Sequence, residues 1–249
     1  MKPSTPIQRL KRRARRLSRE AGVPLHVALD RVAMTEGFAR WSLLAARAPT
    51  PRAPAAAVLA RLDPGDLVLL GARPGHGKTL TGLGVIMDAV ERGRQAWFFT
   101  LASTLDETLE RVRKIGRDPS AFARHATFDD SDRICAGHVV ARLSGADRGA
   151  VAVVDYLQLL DERREHPALG EQVAALRAFA RGSGTTLVLI SQIDRSYDPT
   201  LRPCPELDDV RLPNPVDLAL FDKTCFLHAG EVRVSAPGDP AFATLRTGR

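Results

Sequence analysis

The chain has 249 residues, 44% of them hydrophobic and 26% charged, a balance that allows one well-buried core plus a small appendage. No run of about 18 apolar residues occurs, which excludes an ordinary membrane-spanning helix, and the basic start MKPSTPIQRLKRRARRLSRE lacks the apolar stretch of a secretory signal. The net charge of +7 is confined to one place: residues 1–19 hold eight Lys/Arg and no acid, and the other 230 residues sum to −1.

A basic cluster of this kind attracts nucleic acid or another polyanion. An Arg-rich transit peptide is the competing reading, but amphipathic sequence runs directly on into the next helix. The three cysteines, Cys135, Cys204 and Cys225, have no paired spacing, which fits a reducing cytoplasm better than a disulfide framework. Cys135 and His138 form a lone C-x-x-H pair with no second pair to complete a zinc site, so ordinary packing is expected there.

In chain order, residues 6–20 read as a helix with Ile7, Leu10, Ala14 and Leu17 on one stripe and arginines around the rest. Gly22-Val23-Pro24 breaks it. A second helix runs from Pro24 to Thr35, and Phe38, Trp41, Leu43 and Leu44 follow as apolar anchors. Residues 1–46 thus form a small basic all-α module, residues 47–57 (RAPTPRAPAAA) read as a Pro/Ala-rich linker, and residues 58–249 form the main domain. There, apolar strands at Leu67–Leu70, Ala96–Leu101, Val151–Val154 and Thr186–Ile190 alternate with helices at Leu80–Arg92, Leu105–Ile115 and Glu171–Ala180. Thr104 and Glu107 are spaced as a capping box. The pattern is that of an α/β fold, a mostly parallel sheet covered by helices on both faces. The tail pieces CFLH, EVRV and FATLR, around Gly230 and Pro237–Pro240, suggest an antiparallel addition at the C-terminal edge.

The strongest chemical signal is the strand, Gly-rich loop and helix around Ala72-Arg73-Pro74-Gly75-His76-Gly77-Lys78-Thr79-Leu80, the context a Walker A phosphate loop requires. Ala72 replaces the usual first glycine, with Gly71 just before it. The loop amides and the helix N-terminus would hold an anion. Lys78 would reach the β- and γ-phosphates of ATP, and the Thr79 hydroxyl would ligate Mg²⁺. Downstream, Val151-Ala-Val-Val-Asp155 is an apolar strand ending in an acid, the form of a Walker B magnesium ligand. Leu187-Val-Leu-Ile-Ser-Gln192 is a third such strand, and Gln192 at its carboxyl end would sense the γ-phosphate or place the attacking water.

Together ARPGHGKT (72–79), FTLAST (99–104), VVDYLQLL (153–160), LISQIDR (189–195) and RPCPELDDVR (202–211) resemble the ATPase domain of DnaB-like replicative helicases, RecA-fold P-loop NTPases that act as ring hexamers. The resemblance covers roughly residues 58–228. It implies Mg²⁺-ATP as ligand, a homo-oligomer, hexameric in the family, and DNA as partner. Arg195 and Arg202 then become phosphate contacts beside Arg12, Arg13 and Arg16 of the basic arm. For the arm itself three readings stand open: DNA binding, packing on an adjacent subunit, or a solvated basic helix. Preference for adenine over guanine comes from the resemblance alone.

Two departures separate this chain from that pattern. The family's strand after the phosphate-loop helix ends in a glutamate that activates water; here the aligned residue is Ala102, and the nearby acids are Asp106 and Glu107. The family also inserts a trans arginine finger from a Lys-x-Arg strand; only Arg233 and Arg246 stand in for it here. General-base positioning is worth about 10²–10⁴-fold in rate, and an arginine finger about 10³–10⁵. The expectations are therefore an ATP-driven DNA motor, or a nucleotide-gated DNA-binding or regulatory protein that scarcely hydrolyses ATP. A RecA-fold signalling ATPase of the circadian-clock type fits less well, because of DYLQ and the RP…DDVR segment.

Overall fold

The computed structural model describes residues 7–47, 53–161, 166–194, 196–198, 204–212, 214–228 and 231–236. Contacts divide the chain into two compact units, residues 1–50 and 51–249. The helices of the first are α1 (Ile7–Ala21), α2 (Leu25–Thr35) and α3 (Trp41–Arg47). Its stripe of apolar residues closes on itself: Leu10 and Ala14 of α1, Ala28, Val32 and Ala33 of α2, Phe38, and Leu44 of α3 are all buried together. Asp30 on α2 accepts the Trp41 amide at 2.8 Å and so caps α3. Leu43, expected as an anchor, is instead 53% exposed, because α3 turns Leu44 inward.

The second unit opens with a helix, α4 (Ala53–Leu59), where the sequence suggested the end of a linker. The correction has a packing cause. Ala55, Val58 and Leu59 are buried, and a Cβ on Gly84 of the facing helix would lie 2.5 Å from the Ala55 methyl. The alanines that resemble linker composition are small enough for two helices to approach closely.

There follow β1 (Leu67–Ala72), α5 (Lys78–Glu91), β2 (Ala96–Thr100), α6 (Leu105–Lys114), α7 (Pro119–His125), β3 (Ala126–Asp129), α8 (Ala136–Leu143), β4 (Val151–Asp155), α9 (Leu169–Ser183), β5 (Thr186–Gln192), β6 (Lys223–His228) and β7 (Glu231–Ser235). They build one sheet in the order β3-β2-β4-β5-β1-β6-β7. Every pairing is parallel except that of β6 with β7. The CFLH piece, expected to be antiparallel, continues the parallel run beside β1, and β7 alone reverses direction.

Both faces are covered, which is why the strands read as continuous apolar runs. Val68, Leu70, Phe98, Val153 and Ile190 face α5 residues Leu83, Ile86 and Met87. Leu69, Phe99, Val154 and Leu189 face the side of α8 and α9, with Val139, Val173 and Leu176. The capping box at Thr104 and Glu107 forms, each backbone amide donating to the other's side chain at 3.3 Å. Arg117, whose side chain is buried, pairs with Asp88 and Glu91 and fastens the segment before α7 to α5. The expected FATLR strand, the Pro237–Pro240 turn and Arg246 lie outside the described residues.

Candidate functional site

Parallel strands bring their carboxyl ends to one edge of the sheet, and three of them, β1, β4 and β5, carry the predicted polar residues there. Register places Ala72 opposite Gln192 and Asp155 opposite Thr100 and Ile190. Residues 73–77 then leave β1 and turn directly into α5. The His76 amide donates to the Arg73 carbonyl at 3.1 Å, closing the turn.

Gly75 and Gly77 have φ of 76° and 85°, a backbone that L side chains resist. Nothing lies within 4 Å of a Cβ at either position, so the loop is open. Gly71 differs: a Cβ there would come 2.7 Å from the Phe226 ring, so it is glycine for packing. Ala72, fully buried within β1, serves as the last strand residue. Gly77 caps α5, whose first backbone hydrogen bond runs from Thr81 to Gly77 at 2.8 Å. The amides of Lys78, Thr79 and Leu80 precede that bond, so they present donors and the positive end of the helix dipole to the loop.

Asp155 ends β4 with 3% of its surface exposed. Burial pushes its carboxyl above the ordinary range; the nearby Thr79 hydroxyl and the charges of Lys78 and Arg111 pull the other way without prevailing. A buried carboxylate near a hydroxyl at a helix N-terminus, beside a lysine and an open glycine loop, is a donor set suited to Mg²⁺ and a polyphosphate. Lys78, Thr79, Asp155 and Gln192 are thus gathered at one sheet edge.

Arg111 was not anticipated from the sequence. It lies on α6, one turn beyond the buried Thr108, and is half-buried. Its helical spacing was visible, but its service to Asp155 follows from β2 pairing with β4, which no local pattern gives.

Gln158 of the DYLQ run is a second unanticipated residue. Its Nε2 donates to Ser191 Oγ at 3.1 Å and to the Arg211 carbonyl at 2.7 Å. The Arg211 amide in turn donates to the Gln192 carbonyl at 2.8 Å. The ends of β4 and β5 and the 207–211 segment are therefore tied together. On the other flank, His76 packs edge-on against His228 at the end of β6, and His228 against Tyr197, both at 5.9 Å between ring centroids.

Ala102 lies two residues beyond β2 and is exposed, its amide donating to Thr100 Oγ1 at 3.0 Å. Arg233 is exposed on β7, opposite Phe226. Arg195 and Arg202 lie outside the described residues, and Arg12, Arg13 and Arg16 belong to the other compact unit. The Cys135-x-x-His138 pair serves local structure: Cys135 Sγ accepts the His138 amide at 3.4 Å, and the His138 ring contacts Asp129 at 3.0 Å.

No family model matches the chain, and no curated protein matches it. Solved structures do. One of them, an ATPase domain, aligns with a TM-score of 0.56 at 18% identity, over 67% of this chain and 70% of that one. A DnaB-like replicative helicase, solved to study its interactions with primase, aligns with a TM-score of 0.55 at 14% identity, over 70% of this chain and 54% of that one. The match thus spans about half of that helicase's length. A KaiC-like protein, PH0186 from Pyrococcus horikoshii OT3, gives 0.49 at 17% identity, over 65% and 70%. The chain has the RecA-like P-loop NTPase fold of the first two.

Proposed function

We propose that the protein binds Mg²⁺-ATP at the β1–α5 loop and acts on DNA as a DnaB-like ATPase. The observation that carries this reading is buried Asp155 at the end of β4, with Lys78 and Thr79 of the α5 start near it. Thr79 and Asp155 would hold the magnesium, Lys78 and the amides of residues 75–80 the phosphates, and Gln192 would lie toward the γ-phosphate. The metal's contribution is neutralisation of charge on the phosphates. Within this reading Arg195 and Arg202, with Arg12, Arg13 and Arg16, contact nucleic acid, and the chain assembles into a homo-oligomer, as a replicative helicase ring would, in a cytoplasmic setting.

A second reading, nucleotide-gated DNA binding with little hydrolysis, is favoured by one observation. The residue at the end of the β2 exit is an exposed alanine, and the next glutamate on that segment, Glu107, is engaged in capping α6. Steady-state ATP turnover, with and without single-stranded DNA and beside Lys78→Ala, separates the two. DNA-stimulated turnover lost in Lys78→Ala supports the ATPase. Tight ATP binding with turnover no higher than that variant's leaves the gated binder.

A further inference from the structure

The cations of α1 are arranged for a purpose that the ATPase site does not use. In Ile7–Ala21 there are seven basic residues, Arg9, Lys11, Arg12, Arg13, Arg15, Arg16 and Arg19, against one acid, Glu20. All seven are exposed. The single ion pair within the helix among the described residues, Arg16 with Glu20 at 3.7 Å, is itself open to solvent, the side chains 71% and 65% exposed, so it competes weakly with an incoming anion. At 3.6 residues per turn the seven spread over about 200° of the helix, opposite the stripe that Leu10 and Ala14 bury against α2.

The density of charge selects the partner. Fifteen residues make a helix about 22 Å long, so one cation falls every ~3 Å. One strand of a duplex presents one phosphate per about 3.4 Å of axis, or about six phosphates over that length. An anionic membrane suits the helix less well, because membrane-surface helices bury their apolar stripe in lipid, and here that stripe is committed to the module's own core. The hydroxyl of Ser18 is engaged within the module, donating to the Val23 carbonyl at 2.7 Å, and the described outward face is dominated by guanidinium and ammonium groups, which suit phosphate contacts.

We propose that α1 is a sequence-independent clamp for the phosphate backbone of duplex nucleic acid, working without nucleotide. This extends the DNA-binding part of the functional reading and does not depend on hydrolysis.

The test is fluorescence anisotropy of the full chain with labelled duplexes of unrelated sequence, without ATP, across a salt series. Wild type, Lys78→Ala and the triple variant Arg12→Gln/Arg13→Gln/Arg16→Gln are compared. All three substituted positions are exposed and off the buried stripe, and helical circular dichroism checks that α1 survives. For about six neutralised phosphates, log affinity should fall with log salt at a slope near −5, the same for every duplex. The triple variant should lose about 2.7 of that slope and bind at least tenfold more weakly at ~100 mM salt, while Lys78→Ala binds as wild type. That last result keeps the clamp separate from the ATPase, since loss of turnover would leave it untouched. An unchanged slope in the triple variant overturns the proposal. So does a wild type that binds anionic vesicles or polyglutamate more tightly than duplex, or one whose binding requires ATP.

Discussion

Asp155→Asn should stabilise the ligand-free protein and abolish its response to Mg²⁺-ATP. The carboxyl is 3% exposed, and burial raises it above its ordinary 3.8 in spite of the Thr79 hydroxyl, Lys78 and Arg111. The fold therefore opposes its ionisation. That penalty is present in full above the folded value, where both states are ionised, and vanishes as pH falls below the unfolded value, where both are protonated. Asparagine keeps the shape and removes the charge. Relief of such functional strain is worth about 0.5–2 kcal/mol, or about 1–8 °C in melting temperature for a unit of this size. Magnesium nucleotide should reverse the order: at about 100 times its dissociation constant it adds about 2.7 kcal/mol to wild type and nothing to the variant. Each compact unit carries one tryptophan, Trp41 and Trp97. Melting followed by fluorescence in a Trp41→Phe background therefore reports the second unit alone. The reasoning is refuted if Asp155→Asn melts at or below the parent at pH 7, or if nucleotide protects both equally.

Three other outcomes are expected. Ala102→Glu, which returns a carboxylate to the exit of β2, should raise steady-state phosphate release by at least about 10²-fold; an unchanged rate means that the missing base does not limit turnover. Gly84→Ala should destabilise by up to about 2 kcal/mol in urea titration, since overpacking of about 1–3 kcal/mol is set against a helix-propensity gain of about 1. Adding Ala55→Gly should recover the overpacking part, and a stabilising Gly84→Ala would remove α4 from its place against α5. Burial pushes the Cys225 thiol up to about 12 from 9.0. Stability should therefore fall as pH rises from about 9 toward 12, as the unfolded thiol ionises first, by about 1 kcal/mol at pH 10. A Cys225→Ser variant with the same alkaline slope would refute that assignment.

The parts of the fold legible in the sequence were those in which one residue type satisfies one neighbour. β1, β4 and β5 are buried on both faces, and an uninterrupted apolar run says so. The strand β3 was missed because three of its four residues are only half-buried at the sheet edge, leaving no run to see. The helix α7 was missed although its start was written out: Asp118 accepts the Ser120 amide at 2.9 Å, with Pro119 in the first turn. The short PSAFARH stretch has a single deeply buried residue, Phe122, and no period. Lys78, Thr79, Asp155 and Gln192 could be named because each ends or begins a recognisable element. Arg111 and Gln158 could not, because their partners come from a strand order that runs 3-2-4-5-1. Composition misled at Ala55, whose small side chain serves close helix packing as readily as a linker.

On the proposed reading the site divides into a half suited to holding phosphate and, at the β2 exit, a segment whose described polar groups are mostly engaged locally. In the first, Gly77 caps α5, the loop glycines hold positive φ, and buried Asp155 lies near Lys78 and Thr79. Most polar groups on the β2 exit, by contrast, have a local use. Thr100 Oγ1 takes the Ala102 amide, Ser103 and Thr108 hydrogen-bond to each other at 3.1 Å, and Glu107 caps α6. Asp106 is the one carboxylate between Ala102 and α6's second turn without such a bond among the described residues, and it is exposed in the first helical turn. Binding and hydrolysis are therefore physically separable here. If Asp106→Asn leaves turnover unchanged while Ala102→Glu raises it, the chain retains nucleotide as a ligand and has shed the group that would make it a fuel.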